Sequence, residues 1–173
     1  ASAEGARVYS LLSAQPYTDG GTYVYALERK GGWEAIDRAH QDPPVSSEQI
    51  IHQRPNEKPI PISVDDYSDS DWERYHTNTL GEVGIFALFF AQQERAEEGQ
   101  AVMDRDVFER QHRWDNLDFD FEASAGWGND VLVAYRNGED RGYVWTTVWD
   151  TERDATEFAG AYRQALTGMG AWK

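Results

Sequence analysis

The chain contains no cysteine, so neither disulfides nor a thiolate nucleophile can contribute to its chemistry. Lysine is nearly as scarce, standing only at positions 30, 58 and 173, and the other basic residues are arginines. Histidine occurs at 40, 52, 76 and 112. None of these lies four residues from another, which excludes a His-Glu-x-x-His zinc helix. No Gly-x-Ser-x-Gly elbow is present. No stretch alternates Asp and Asn before a closing Glu, as a calcium-binding loop requires. Long apolar runs are missing as well: the longest, 83–91, is interrupted by Gly84 and reaches about half of the ~20 residues a membrane helix needs.

What is present is acid and aromatic surface. Thirty-one acidic residues against sixteen basic ones give a net charge of −15, and aromatics make up 13% of the chain, with seven tryptophans. A surface of that sign repels nucleic acid and anionic membrane, so neither is expected as a partner, nor is direct membrane insertion by this chain. The aromatic content and the periodic segments argue against acidic disorder. The acids are scattered through every segment rather than gathered, and with so few lysines this pattern reads as adaptation to concentrated salt. High salt is then the expected solvent. At 173 residues one domain is the natural count, and no linker or repeat divides it.

The last third organises the fold. Runs 131–135 and 143–149 are rich in β-branched and aromatic residues and predict two strands, with Asn137-Gly138 supplying the positive-φ positions of a hairpin. Asp150 or Thr151 then caps a helix on which Ala155, Phe158, Ala159, Tyr162 and Leu166 recur at helical spacing. Upstream, short helices are expected over 2–14, with Pro16 beyond the end, over 20–29 and over 33–40, with Gly31-Gly32 separating the last two. Ser46 and Gln49, or Ser47 with Ile50 behind it, offer a capping box for a brief helix ending near His52. The prolines at 55, 59 and 61 impose an extended crossing over 53–66, anchored by Trp72 and Tyr75. Asn78 or Thr79 starts the most apolar helix, with Leu80, Val83, Phe86, Ala87 and Phe90 on its stripe. This helix is expected to be central, with Phe86 and Phe90 near Phe158. Residues 104–108 suggest a turn of helix and 115–121 an edge strand or an acidic loop. The expected class is α+β: several helices, then a C-terminal antiparallel hairpin and closing helix in one compact domain spanning 1–173.

Chemistry is harder to find. Acidic pairs are too numerous for a glycosidase-type pair to stand out. Gly126-Trp127-Gly128-Asn129-Asp130 lacks the lysine of a phosphate loop and precedes a strand, so its glycines are read as a tight turn with Trp127 plugging the core. An exposed Trp127 would instead offer a stacking platform. The candidate ligand-binding residues are Trp33, Trp127 and Asp130, or the edge formed by Glu48 and His52. A tertiary cluster of His40, Glu48 and His52 is the alternative for a metal. No cofactor is expected.

Three segments together carry a resemblance: Gly31-Gly32-Trp33 with Pro43-Pro44-x-Ser46-Ser47-Glu48-Gln49-Ile50-Ile51-His52, then Thr79-Leu80-Gly81-Glu82, then Gly126-Trp127-Gly128-Asn129-Asp130 with Trp149-Asp150 and Glu157-Phe158. This ordered set, from Tyr9 to Leu166, resembles an uncharacterised family of haloarchaeal surface or lipoprotein-type proteins, itself similar to the C-terminal half of zincin-like metallopeptidases. In such zincins an acidic residue followed by Gly completes the zinc site, and Glu4-Gly5 matches that element alone. The His-Glu-x-x-His helix is not in this sequence. The resemblance therefore implies a non-enzymatic domain of a haloarchaeal cell-surface protein, extracellular or anchored through segments outside this chain. The alternatives are the C-terminal portion of a zinc metallopeptidase, with Glu4 as its one metal candidate, or a Trp-lined ligand-binding module. Ala1 opens no signal-peptide pattern, as expected of a processed or excised chain.

Overall fold

In the computed structural model, residues 3–54, 56–69, 71–97 and 123–168 are described. Strands β2 (Trp127–Asn137) and β3 (Asp140–Trp149) form the expected antiparallel hairpin. Asn137 pairs with Asp140, leaving Gly138 and Glu139 as a two-residue turn. Gly138 alone takes the positive φ there, 56°, while Asn137 stays in the ladder. The closing helix α4 (Glu152–Gly168) begins on a reciprocal cap. Thr151 Oγ1 accepts from the Asp154 N–H at 3.2 Å, and the Asp154 carboxylate accepts from the Thr151 N–H at 3.1 Å.

Phe158 of α4 is 7% exposed and sits at the packing centre, as its helical stripe requires. Its ring stacks on Trp149 at 4.7 Å and on Tyr162 at 5.6 Å, and meets Trp145 edge-on at 5.3 Å. Helix α3 (Gly81–Glu97) contributes Phe89, edge-on to Phe158 at 6.0 Å, and the fully buried Ile85. The expected stripe through Phe86 and Phe90 is therefore turned: Ile85 and Phe89 face the sheet side. Phe86 is half-buried, and the side chain of Phe90 lies outside the described residues. Burial on more than one face makes α3 central, touching the N-terminal helix, the short helix Ser47–Ile51, α4 and β2.

A third strand, β1 (Glu73–Asn78), pairs antiparallel with β2 and gives the order β1-β2-β3. It was not foreseeable from periodicity, because all six of its residues are exposed and no apolar alternation exists to read. Trp72 just before it lies over Gly142 of β3, as the anchoring expectation asked, but Tyr75 is 43% exposed between the guanidinium groups of Arg136 and Arg141.

The N-terminal helix α1 (Ala3–Gln41) corrects a second expectation. It runs on through Pro16, and the chain departs from helical geometry at Gly31-Gly32 alone. Proline at 16 frees one carbonyl, four residues back at Leu12; both residues are exposed, so water can take that carbonyl and the helix is not forced to stop. Helix α2 (Ser47–Ile51) follows the extended Pro43-Pro44, with the Ser46–Gln49 capping box in place. Segment 57–67 crosses the hairpin in extended form. Its Ile60 N–H donates to the Gly128 carbonyl at 2.8 Å, and its Tyr67 N–H donates to the Tyr135 hydroxyl at 3.2 Å. Residues 104–108 and 115–121 lie outside the described residues. Among the described residues no helix is long and apolar enough to cross a membrane.

Candidate functional site

The start of α3 is surrounded by buried carboxylates, and each is handled differently. The first is Asp130. A β-bulge falls between Trp127 and Asn129, where the register passes from Trp127↔Trp149 to Asn129↔Val148 and skips Gly128. The extra residue turns Trp127 and Asp130 to the same face of the sheet, three positions apart. Glycine suits the bulge, because a Cβ there would crowd Ile60 Cδ1 at 2.6 Å and the Val148 carbonyl at 3.1 Å. Asp130 is fully buried and accepts four hydrogen bonds. Its Oδ1 takes the Gly81 N–H at 2.8 Å and the Trp127 indole N–H at 2.9 Å. Its Oδ2 takes the Leu80 N–H and the Trp145 indole N–H, both at 2.9 Å. Leu80 and Gly81 stand at the positive end of α3, so Asp130 is a cap supplied from another strand. This is why the helix opens at Gly81 rather than on a local Asn78 or Thr79 cap.

The second is Glu82, 2% exposed, in the first turn of α3. His52 at the end of α2 donates through Nε2 to both of its carboxylate oxygens, at 2.9 and 3.1 Å. This hydrogen bond raises the His52 pKa above the ordinary histidine value against the opposing effect of burial. Helix α2 is short, but its position is secured: the Ser47 hydroxyl accepts from the Val83 N–H at 3.4 Å.

The third is Glu48, 3% exposed in α2. Its carboxylate accepts no hydrogen bond from any described residue. It faces Glu57 and Asp150, one oxygen from each of the three lying within 4.8 Å of the others. Burial pushes the Glu48 pKa up to about 7, with Glu82, Glu57 and Asp150 adding repulsion. Asp150 is likewise raised, chiefly by desolvation and then by Glu57. Two bases face the group: His52, turned to Glu82, and Arg54, whose Nη1 lies 3.2 Å from Glu57 Oε2.

The five sequence candidates therefore divide. Glu48 and His52 lie at one polar edge, His52 turned to Glu82 and Glu48 to Glu57 and Asp150. Trp127, at 2% exposure, and Asp130 are sealed in the interior and serve the fold, while Trp33 is 76% exposed on α1. The groove expected from those three is replaced by an internal indole–carboxylate knot and a solvent-facing ring. His40 is exposed at the end of α1 and is not among the grouped ligands. The side chain of Glu4 lies outside the described residues. Sequence reasoning missed Glu57, Glu82 and Asp150 as partners of Glu48 and His52. Only Glu82 carried a signal, being an acid at the head of an apolar helix.

No curated protein and no solved structure matches the chain. A family model does, over residues 71–173, which hold β1, α3, the hairpin and α4, and with them Glu82, Asp130 and Asp150. By that match the chain belongs to a family described as a domain of unknown function, DUF8575.

Proposed function

We propose that this chain is a non-catalytic, salt-adapted domain of a haloarchaeal cell-surface protein. The observation that carries the reading is where the acid lies. Glu34, Asp37, Asp65, Asp66, Glu139 and Asp140, on three different parts of the surface, are all exposed, in a chain of net charge −15 with three lysines. Several arginines are already committed locally, Arg136 to Glu73 at 2.8 Å and Arg153 to Glu157 at 2.7 Å. Uncompensated like charge opposes the compact state, and salt relieves it. The cell-surface assignment rests on the resemblance to haloarchaeal surface or lipoprotein-type proteins.

Thermal unfolding across a potassium chloride series at neutral pH tests the reading. The Debye length falls from about 10 Å at 0.1 M to about 3 Å at 1 M, so the melting temperature should climb steeply over that interval. A flat profile refutes salt adaptation. Hydrolysis of a casein-type substrate, abolished by a chelator, refutes the non-catalytic part and favours the zinc-peptidase alternative. That alternative would draw its His-Glu-x-x-His from sequence outside this chain.

A further inference from the structure

From the geometry we infer that Glu48, Glu57 and Asp150 form a binding site for one hard divalent cation, with calcium the best-fitting ion. Three carboxylate oxygens lie within 4.8 Å of one another. Calcium–oxygen distances are about 2.3–2.6 Å, and three oxygens within 4.8 Å of one another can close on one shared ion with small side-chain shifts. The donors are oxygen only, which suits calcium, magnesium or manganese and not zinc or copper. Calcium fits best because it accepts an irregular arrangement and completes its shell with water. The open side for that water is supplied by Asp150, which is exposed, and Glu57, which is half-buried.

Proximity of acids on an acidic protein is by itself unremarkable. Glu48 is what distinguishes this group. It is 3% exposed, receives no hydrogen bond from the described residues, and is directed at two other carboxylates. Buried polar groups in folded proteins have partners, and a cation is the partner that suits a buried carboxylate facing two others. The neighbouring buried acids show the contrast, since Asp130 has four N–H donors and Glu82 has His52. The bases nearby do not fill the position. His52 gives its Nε2 to Glu82, and Arg54 reaches Glu57 from the solvent side in an exposed pair that an entering ion can displace.

The three ligands come from separate pieces of chain: α2, the turn after it, and the junction of β3 with α4. A bound ion would pin the segment before residue 71 to the family domain that follows it. The site thereby adds a specific cation requirement to the general salt requirement proposed above, and the two are separable by experiment.

The test is thermal unfolding and isothermal titration of the full chain, stripped with a chelator and held at fixed high potassium chloride, with calcium, magnesium, manganese and zinc chlorides as probes. A three-carboxylate site completed by water is placed at the weak end of calcium sites, with a dissociation constant around 10⁻⁴–10⁻³ M. At ~10 mM calcium a rise in melting temperature of about 3–10 °C is expected, with one ion per chain. Glu48→Gln and Asp150→Asn should each weaken binding by at least about tenfold, as loss of one of three charged ligands demands. Asp150 is exposed and its side chain makes no packing contact in the core, so that variant stays folded even if the other does not. Absence of any divalent-dependent shift overturns the inference. So does an equal shift in both variants, which would mean ions acting on the diffuse acidic surface. A zinc response exceeding that of calcium overturns the oxygen-donor assignment. Because potassium chloride is constant throughout, failure here leaves the salt-adaptation reading untouched.

Discussion

Replacing Asp130 by asparagine should destabilise the protein severely although the change is isosteric. Asparagine keeps one acceptor oxygen and substitutes an amide N–H₂ for the other. If the retained oxygen serves Gly81 and Trp127, the new amide faces the Leu80 N–H and the Trp145 indole; reversed, it faces the other two donors. Either way two donors confront a third donor in a fully buried place. Hydrogen bonds to charged groups are worth about 1.5–3 kcal/mol each, so losing two costs about 3–6 kcal/mol. The negative charge at the start of α3 is lost as well, a further cost of about 0.3–1 kcal/mol or somewhat more in a buried setting. For a chain of this size each kcal/mol moves the melting temperature by about 2–4 °C, so a fall on the order of 10 °C is expected.

The measurement is far-UV circular dichroism, because the indoles of Trp127 and Trp145 are themselves part of the perturbed node. It belongs in high potassium chloride, since removing one negative charge relieves general repulsion at low salt and would mask part of the loss. A variant within about 1 kcal/mol of the parent would refute the reasoning, because it would put the four hydrogen bonds below their usual worth. A stabilised variant would do more: it would mean that Asp130 is a strained functional acid, as ligand-site residues often are.

The Phe158 cluster and the His52–Glu82 pair give two further expected outcomes. Phe158→Ala, which empties the space among Phe89, Trp145, Trp149 and Tyr162, should cost about 3–5 kcal/mol in urea unfolding, and unchanged stability would displace Phe158 from the packing centre. Glu82→Gln should lower the His52 pKa, read by proton NMR titration of the ring. Because the folded-state pKa of His52 lies above its unfolded value, the pair's contribution is full below about pH 6.5 and fades as pH rises through the folded value. The stability lost in the Glu82 variant should therefore be larger near pH 6 than near pH 8.5, and the opposite order would contradict the assignment. Glu48, Arg54 and Asp150 also face or sense His52 and are to be kept intact in that comparison.

The legible parts of the fold were those in which local pattern and final burial agree. The hairpin and α4 were readable because β-branched and aromatic residues, a Gly turn and a helical stripe converge on one arrangement. The α2 capping box was readable because Ser46 and Gln49 satisfy each other within four residues. What was hidden depended on distant chain. Strand β1 exists because β2 offers it a ladder, and its own exposed residues carry no trace of that. The turn of the α3 stripe from Phe86 to Phe89 follows from α3 being packed on several sides, where a nearly all-apolar helix has no single face for periodicity to find. The bulge at Gly128 shifts the alternation of β2, so Trp127 was readable as a core plug but its hydrogen bond to Asp130 was not.

The same distinction separates structure from function among the buried acids. Asp130 lies 49 residues from the N–H it receives from Gly81, and Glu82 lies 30 from His52. In both, the long-range partner neutralises a desolvation cost that would otherwise be several kcal/mol. Each is therefore explained by the fold alone. Glu48 is as deeply buried and has no such partner among the described residues. Burial, and then the charges of Glu82, Glu57 and Asp150, push its pKa up to about 7. A group whose folded pKa lies that far above the unfolded value gives stability below about pH 4.5 that is lost by pH 7, an amount on the order of 3 kcal/mol. In a chelator-treated sample the fold should therefore weaken between about pH 5 and pH 8, by more than in Glu48→Gln, which has no proton to lose. A parent and variant with identical pH profiles would show that Glu48 is already satisfied, and the reason for placing a ligand beside it would disappear.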